Sequence, residues 1–252
     1  MIATGMNRTG MSAVWLLARR ELQGYFATLS GYLILAAHLL VSGLFFNVFA
    51  VGNRPKFSQG VLEDYFYYAS GMAIVTGLVL AMRLIAEERQ IHTLVVLRTA
   101  PVTGRQIVWG KFLSAVGFLV LTLLLSVYMP ALIFLHGKIS LLHIGTGYLG
   151  LLLLGAACIA VGLLASSWAS NQLMAGVTGG LMVVLLLIAW MVSRVTEAPL
   201  GSLFGYLALH NEHFRSFSSG SLNLRDVVFY LSVIVFFLEA AVHSLEAWRW
   251  RE

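Results

Sequence analysis

The residues of this chain that could take part in acid–base or metal chemistry are few, and most of them form pairs at helical spacing. Glu239 and His243 are four positions apart, so a helix places both on one face, as a proton relay or a metal site requires. Glu88 and His92 form a second such pair. Surface helices often carry such pairs, and a charged group near a helix end commonly snorkels and pairs with a base such as Arg83. The relay and the metal site are therefore the less favoured interpretations.

Motifs of hydrolytic enzymes are missing from the sequence. There is no H-E-x-x-H or G-x-S-x-G motif, and the spacing of His210, Glu212 and His213 does not suit a zinc site. Besides the Glu239 pair, only His38 is an ionisable group deep within an apolar stretch. So few intramembrane ionisable groups argue against a proton-coupled carrier.

A phosphate-binding loop is also missing. Gly110 and Lys111 imitate the end of a Walker A motif, but Arg105 stands where its first glycine belongs. Phe112 replaces the Ser or Thr that would bind Mg²⁺. We therefore expect no ATP site in this chain.

Composition indicates a membrane protein. Hydrophobic residues make up 59% of the chain, only 11% of residues are charged, and the mean hydropathy is +0.86. A soluble domain has about 25% charged residues. One crossing of a bilayer needs about 20 apolar residues, and six stretches of that length are predicted spans: residues 32–52, 66–85, 112–135, 143–166, 174–193 and 227–247. The sequence thus predicts an all-α integral membrane protein with a single transmembrane domain over residues 1–252, in which Pro130 kinks the third span.

The distribution of Lys and Arg predicts the orientation, because positive loops tend to stay in the cytoplasm. The two termini and the even-numbered loops carry the larger share: Arg8, Arg19, Arg20, Arg83, Arg89, Arg98, Arg105, Lys111, Arg249 and Arg251. The other side carries the rest: Arg54, Lys56, Lys138, Arg194, Arg215 and Arg225. Both termini are therefore expected in the cytoplasm. The net charge of +5 is explained by contact with anionic lipid, and nucleic acid is not an expected partner.

An interfacial helix is predicted for residues 12–28, before the first span. Trp15, Ala18, Leu22 and Phe26 fall at helical spacing on one apolar face. Such a helix lies in the headgroup plane.

A second surface helix is predicted for residues 86–100, in the charged loop between the second and third spans. Glu87 and Glu88 suit its first turn, and Pro101 ends it. Ile91, Leu94, Val95, Val96 and Leu97 give this helix a broad apolar surface, so it must bury a face against lipid or in a protein groove. Because the loop lies at a membrane surface, we expect that a soluble partner can reach it.

Two further features concern the later spans. Gly176 and Gly180 stand four positions apart, which allows a neighbouring helix to approach closely, either within the bundle or along a conduit or dimer contact. The segment 194–226 is too polar to span and too apolar for a free loop. Apolar residues at helical spacing predict short re-entrant helices over residues 200–220 in the outer leaflet, or a simple surface anchor for the last span.

The sequence resembles the permease subunits of ABC transporters of the ABC-2 type, specifically the gliding-motility-type permeases. The matching residues are spread over nearly the full length, and the stretch from Glu87 to Phe112 is the most specific. His92 departs from the pattern, since that family commonly has Gly there. The matches are Arg20-Glu21-Leu22, Tyr25-Phe26, Tyr32, Arg83-Leu84, Ala86-Glu87-Glu88-Arg89, Thr93, Leu97, Ala100-Pro101-Val102, Ile107-Val108, Gly110-Lys111-Phe112, Ser166, Asn171-Gln172, His213-Phe214, Phe217, Gly220, Asp226-Val227 and Ser244-Leu245-Glu246.

The resemblance implies a permease subunit in a bacterial inner membrane, with no cofactor of its own. It would pair with a second permease copy or a related chain and with two ABC ATPase subunits that bind ATP and Mg²⁺. An extracytoplasmic auxiliary subunit is an optional further partner. Its first cytoplasmic loop would be the coupling helix that docks on the ATPase, and the segment before the last span would cap the conduit. The residues so implicated are Glu87, Glu88, Arg89, Thr93, Leu97 and Pro101 for coupling, and Tyr206, His213, Phe214 and Phe217 for the cap.

Two other classes of protein stay open as alternatives. An intramembrane enzyme would need polar catalytic groups at depth, for which only Glu239 and His243 qualify. A secondary transporter would show internal repeats and interrupted helices, and the two halves of the sequence show no clear correspondence. Neither interpretation identifies a substrate.

Overall fold

The computed structural model describes residues 3–52, 57–91, 102–136, 139–197 and 199–249. The described part of the chain is helical and contains no β-strand, which confirms the expected all-α membrane fold. In chain order the elements are α1 (Ala3–Ala27), α2 (Leu29–Phe45), a π-helical turn (Phe46–Val51), α3 (Ser58–Leu84), α4 (Ala86–Gln90), α5 (Gly104–Ser126), α6 (Tyr128–His136), α7 (Leu141–Trp168), α8 (Gln172–Val195), α9 (Leu200–Leu207), α10 (Phe214–Ser218) and α11 (Leu224–Arg249).

Six helical segments are long and apolar enough to cross a bilayer, as expected. They are Leu29–Val51, Ser58–Gln90, Gly104–Phe134, Leu141–Trp168, Gln172–Val195 and Leu224–Ala247. The second and third segments begin about two turns earlier than the spans expected from the sequence. The earlier start of α5 brings Arg105 and Lys111 into its first turns.

The fourth span, α7, is the central helix of the bundle. In its most apolar window 89% of the residues are buried, against 17% for the first span and 22% for the fifth. Small residues allow this close packing, since a Cβ added at Gly162 would lie only 2.6 Å from the Cβ of Ala81 on α3. In lipid, such close packing and not hydrophobicity favours helix association.

Gly162→Ala should therefore destabilise the bundle by about 1 to 3 kcal/mol, because α3 and α7 must separate to admit the methyl group. The matched control is Gly71→Ala on α3, where a new Cβ meets nothing within 4 Å and helix propensity favours alanine by up to about 1 kcal/mol. Thermal unfolding in detergent micelles measures both. Equal midpoints for the two variants would contradict this packing.

Two helical spans are interrupted. The third span breaks at Val127 between α5 and α6, three residues before Pro130, whose missing N–H removes one helical hydrogen bond. The expected kink is therefore present. The second span breaks at Ile85 between α3 and α4, where no proline or glycine stands in the sequence.

Helix α1 packs along α5 with Ala18 and Tyr25 buried, and Glu21 has a charged partner on α5. On the apolar face described above, Trp15 is 67% exposed and Phe26 is 42% exposed. The position of α1 in the headgroup plane stays a prediction.

Candidate functional site

Helix α4 presents three consecutive charged residues, Glu87, Glu88 and Arg89, at one end of the bundle. Carboxylates in the first turn of a helix and a base in its last turn both suit the helix dipole. Their side chains contact different neighbouring elements. Each contact connects α4 to a different part of the membrane domain.

Glu88 belongs to a charged cluster that we call the lysine cluster, formed by Arg20, Glu21, Glu88 and Lys111. The Lys111 ammonium lies 2.8 Å from Glu88 Oε1 and 3.4 Å from Glu21 Oε1, and its side chain is only 3% exposed. Arg20 lies 2.9 Å from Glu21 and 4.0 Å from Glu88. Two carboxylates thus face one buried ammonium, and the cluster joins α1, α4 and α5.

The electrostatics of the lysine cluster favour the ionised form of Glu21. Burial alone raises the pKa of the Glu21 carboxyl, but the charges of Lys111 and Arg20 and their hydrogen bonds outweigh it, so that its pKa is lowered from 4.5. A paired carboxylate holds its charge more firmly than a free one. Glu21 is therefore a carboxylate at neutral pH.

Glu87 forms a second pair, with Arg83 one turn earlier. The guanidinium donates from Nε to Glu87 Oε2 at 2.9 Å and from Nη2 to Oε1 at 3.1 Å, a two-bond fork. Arg83 also donates to Ser30 Oγ at the start of α2. A cavity of about 150 Å³ lies here, lined by Glu21, Gly24, Tyr25, Thr28, Arg83, Leu84 and Glu87.

Arg89 binds the end of the central helix. Its guanidinium donates to the carbonyls of Ala169 at 2.8 Å and Ser167 at 3.0 Å, at the C-terminus of α7. A cation there satisfies terminal carbonyls and opposes the negative end of the helix dipole. Movement of α4 would therefore act directly on α7.

The far end of α4 meets the start of α8. The side-chain oxygen of Gln90 accepts a long hydrogen bond, 3.4 Å, from the backbone N–H of Gln172. Beside this contact lies an open groove of about 730 Å³, lined by Met82, Gln90, Asn171, Gln172, Leu173, Gly176 and Val177. Gln90 is exposed and the Ile91 side chain is 59% exposed, so this edge is accessible from outside the bundle.

The structure limits which of the predicted coupling residues a soluble partner can contact. Lys111 and Glu88 are not open to a soluble partner, because their side chains are only 3% and 13% exposed. Thr93, Leu97 and Pro101 lie outside the described residues, as does His92. The pairing of Lys111 was not predicted from the sequence. The one signal for it was a lysine that stands in an apolar stretch soon after Glu87 and Glu88.

The segment between α8 and α11 carries the residues expected to form a cap. Phe214 and Phe217 are buried, and a Cβ added at Gly150 of α7 would lie 2.5 Å from Phe217 Cβ. His213 Nδ1 is 2.8 Å from Asp226 Oδ1, and its Nε2 donates to the Tyr206 carbonyl at 3.0 Å. The side chains of this segment thus contact both the central helix and the last span.

A further histidine of this segment, His210, is held in an uncharged environment. Its Nε2 lies 2.6 Å from Ser70 Oγ of α3, its ring stacks on Phe214, and Asn211 lies 3.3 Å from Nδ1. Burial lowers the pKa of this imidazole below 6.5 despite the hydrogen bond to Asn211.

The free energy of unfolding should therefore fall as the pH is lowered and His210 takes up a proton. Because the folded pKa is depressed, His210 contributes stability that is present above pH 6.5 and lost as the pH falls through the folded pKa. We expect His210→Gln to flatten the dependence of the unfolding midpoint on pH below 6.5. The control is His243→Gln at the exposed His243, and an unchanged slope in the His210 variant would contradict this assignment.

The other residues singled out by sequence make contacts that differ from those expected. Glu239 pairs with Arg105 rather than with Arg83, and His243 is exposed. In α8 the closely packed glycine is Gly179, whose added Cβ would lie 3.3 Å from Gly162 Cα. A Cβ at Gly176 would meet Met82 Sδ at 3.3 Å, and one at Gly180 would meet nothing within 4 Å. A contact of Gly180 with a second chain stays a prediction.

The described residues thus form a six-span helical bundle whose charged side chains converge on one short helix at its end. Residues 11–244 match the family described as ABC-2 family transporter protein. Because this match covers nearly all of the 252 residues, the chain belongs to that family and is a multi-pass permease subunit of an ABC transporter. Membership implies association with ABC ATPase partners. No curated protein matches the sequence.

Proposed function

We propose that this permease subunit couples ATP hydrolysis by separate ABC ATPase subunits to export, or to mechanical work on an extracytoplasmic partner. The single observation that carries the proposal is the position of α4, whose side chains contact α1 through Arg20, α5 through Lys111, the end of α7 and the start of α8. A force applied to α4 reaches four elements through direct hydrogen bonds and ion pairs. We place α4 at the cytoplasmic surface, as the start of the coupling helix.

The proposed assembly has two ATPase subunits and two permease chains, either identical or related. ATP and Mg²⁺ bind to the ATPases. The exposed faces of α2 and α8, the two least buried spans, are available for the second permease chain. The location that fits this assembly is a bacterial inner membrane with both termini in the cytoplasm, and the subtype that fits the sequence resemblance is the gliding-motility type.

The purified chain alone should neither bind nor hydrolyse ATP, because it has no phosphate loop. Equilibrium binding of a fluorescent ATP analogue, in detergent and in lipid nanodiscs, measures this directly. The control is the same preparation after addition of its co-purified ATPase. Saturable nucleotide binding by the isolated chain would contradict the proposal that ATP binds only to the separate ATPase subunits.

The assembly itself is tested by purifying the tagged full-length chain from its native membrane under mild conditions. We expect stoichiometric recovery of a protein with an intact phosphate loop, together with a second permease chain. ATP hydrolysis in this preparation should depend on the permease. Recovery of the permease without any such ATPase, under conditions that retain a second permease chain, would overturn the proposed function.

A further inference from the structure

The break between α3 and α4 has an unusual cause. No proline or glycine stands there, yet the helix is interrupted at Ile85, whose backbone angles are φ −117° and ψ −41°. Sharp kinks without proline occur where a side chain inserts into the backbone hydrogen-bond ladder. A side chain does insert here, and it comes from another span.

The inserted group is the hydroxyl of Ser166 on the central helix α7. Its oxygen accepts from the backbone N–H groups of Ala86 at 2.9 Å and Ile85 at 3.1 Å, and it donates to the carbonyl of Met82 at 3.3 Å. In a continuous helix the Ala86 N–H would bond to that same Met82 carbonyl. Ser166 therefore occupies the gap between a donor and an acceptor that would otherwise pair directly.

Burial makes the Ser166 hydroxyl the group that determines the backbone geometry between α3 and α4. Ser166, Ile85 and Ala86 have no exposed surface, so water does not replace the hydroxyl. A buried backbone N–H without a partner is costly. With Ser166 in place, both backbone donors and the hydroxyl itself are satisfied.

A second arrangement satisfies the same groups. If the Ala86 N–H bonded directly to the Met82 carbonyl, the helix would be continuous. The backbone N–H groups of Ile85 and Ala86 would then both donate within their own helix. The Ser166 hydroxyl would turn to a carbonyl of its own helix, as the neighbouring Ser167 already does with Leu164 at 2.7 Å. Because each arrangement makes three hydrogen bonds, the two differ little in hydrogen-bond energy.

We propose that Ser166 is a positioning residue for coupling, which holds the joint between the second span and α4 in its bent state. Straightening returns the Ala86 N–H to the Met82 carbonyl and releases Ser166. Because Arg89 on α4 also binds the last carbonyls of α7, bending at the joint displaces the end of the central helix. The role in coupling depends on the proposed function, whereas the bent state itself does not.

The bent state is tested by a distance measurement on the full chain in nanodiscs. Spin labels are placed at Gln23→Cys on α1 and Gln90→Cys on α4, both exposed sites, with the single native cysteine removed as Cys158→Ala. Straightening a bend of about 20° moves the end of a five-residue helix, about 7.5 Å long, by roughly 3 Å. We expect Ser166→Ala to shift the label distance by about this amount.

Ser167→Ala is the matched control, because Ser167 is the next residue, is equally buried, and bonds only to Leu164 and Ser244 through its hydroxyl. Identical distance distributions for the two variants and the parent would overturn the proposal. Ser166→Cys, with a weaker donor and acceptor, should give a mixture of the two distances. If neither Ser166 variant folds while Ser167→Ala does, no second arrangement exists and the proposal fails.

Coupling is measured separately, as the permease-dependent ATP hydrolysis of the co-purified complex. We expect Ser166→Ala to retain the ATPase subunits and to change this rate by about two- to thirtyfold. Thr122→Val, which removes a buried hydroxyl that bonds to the Phe118 carbonyl within α5, should stay at the parent rate. An unchanged rate in Ser166→Ala would remove the role in coupling even if the distance shifts. If the parent chain recovers no ATPase, the proposed function fails and the distance measurement still decides the bent state.

Discussion

Lys111→Met should lower the free energy of unfolding by about 3 to 5 kcal/mol, the largest loss expected for any single substitution considered in this chain. The methionine leaves the Glu21 and Glu88 carboxylates facing each other without the ammonium that lies 3.4 Å and 2.8 Å from them. Arg20, at 61% exposure, compensates only partly because water screens it. Denaturant unfolding in micelles, followed by tryptophan fluorescence, measures the loss.

The control for Lys111 is Arg105→Met, on the same helix. Arg105 also pairs with a glutamate, Glu239, but its side chain is 65% exposed, so we expect a much smaller change because water screens the pair. Adding Glu88→Gln to Lys111→Met should recover part of the loss, since only one carboxylate then lacks its partner. Similar losses for the Lys111 and Arg105 variants would mean that the lysine cluster is not a stabilising element.

The case of Lys111 also shows the limit of hydropathy as a predictor. The positions of six spans follow from apolar length alone, and the structure confirms six. The third span was expected to begin after Lys111, because a lysine in an apolar context normally marks a loop. The residue is instead buried in the first turns of α5. Its partners are far away in sequence, and no local pattern specifies them.

The break in the second span at Ile85 could not be predicted from the sequence either. A kink caused by Pro130 can be predicted, because proline lacks the N–H wherever it stands. A kink caused by Ser166 depends on a contact between residues about 80 positions apart. The sequence around Ser166 does not specify a partner for its hydroxyl, because that partner is defined only when α3 and α7 are packed together.

The final prediction separates docking of the ATPase from integrity of the fold. The apolar Ile91 side chain at the end of α4 is 59% exposed, so the described residues leave most of it uncovered. If α4 docks on the ATPase, Ile91→Asp places a charge in the interface and should weaken association by about 2 kcal/mol or more, about thirtyfold in Kd. The unfolding midpoint of the permease should not change.

Glu88→Lys should behave in the opposite way, although Glu88 lies only three residues earlier. Its carboxylate faces Lys111 at 2.8 Å inside the bundle, so a lysine there sets two ammonium groups together and destabilises the permease itself before any docking is measured. Glu212→Lys, at an exposed site beyond α9, is the control for both and should leave stability and ATPase recovery unchanged. Co-purification of the ATPase and thermal unfolding of each variant are measured side by side. Full retention of the ATPase in the Ile91 variant would place the docking surface elsewhere. Loss of the ATPase from the Glu212 variant would reverse the proposed orientation in the membrane.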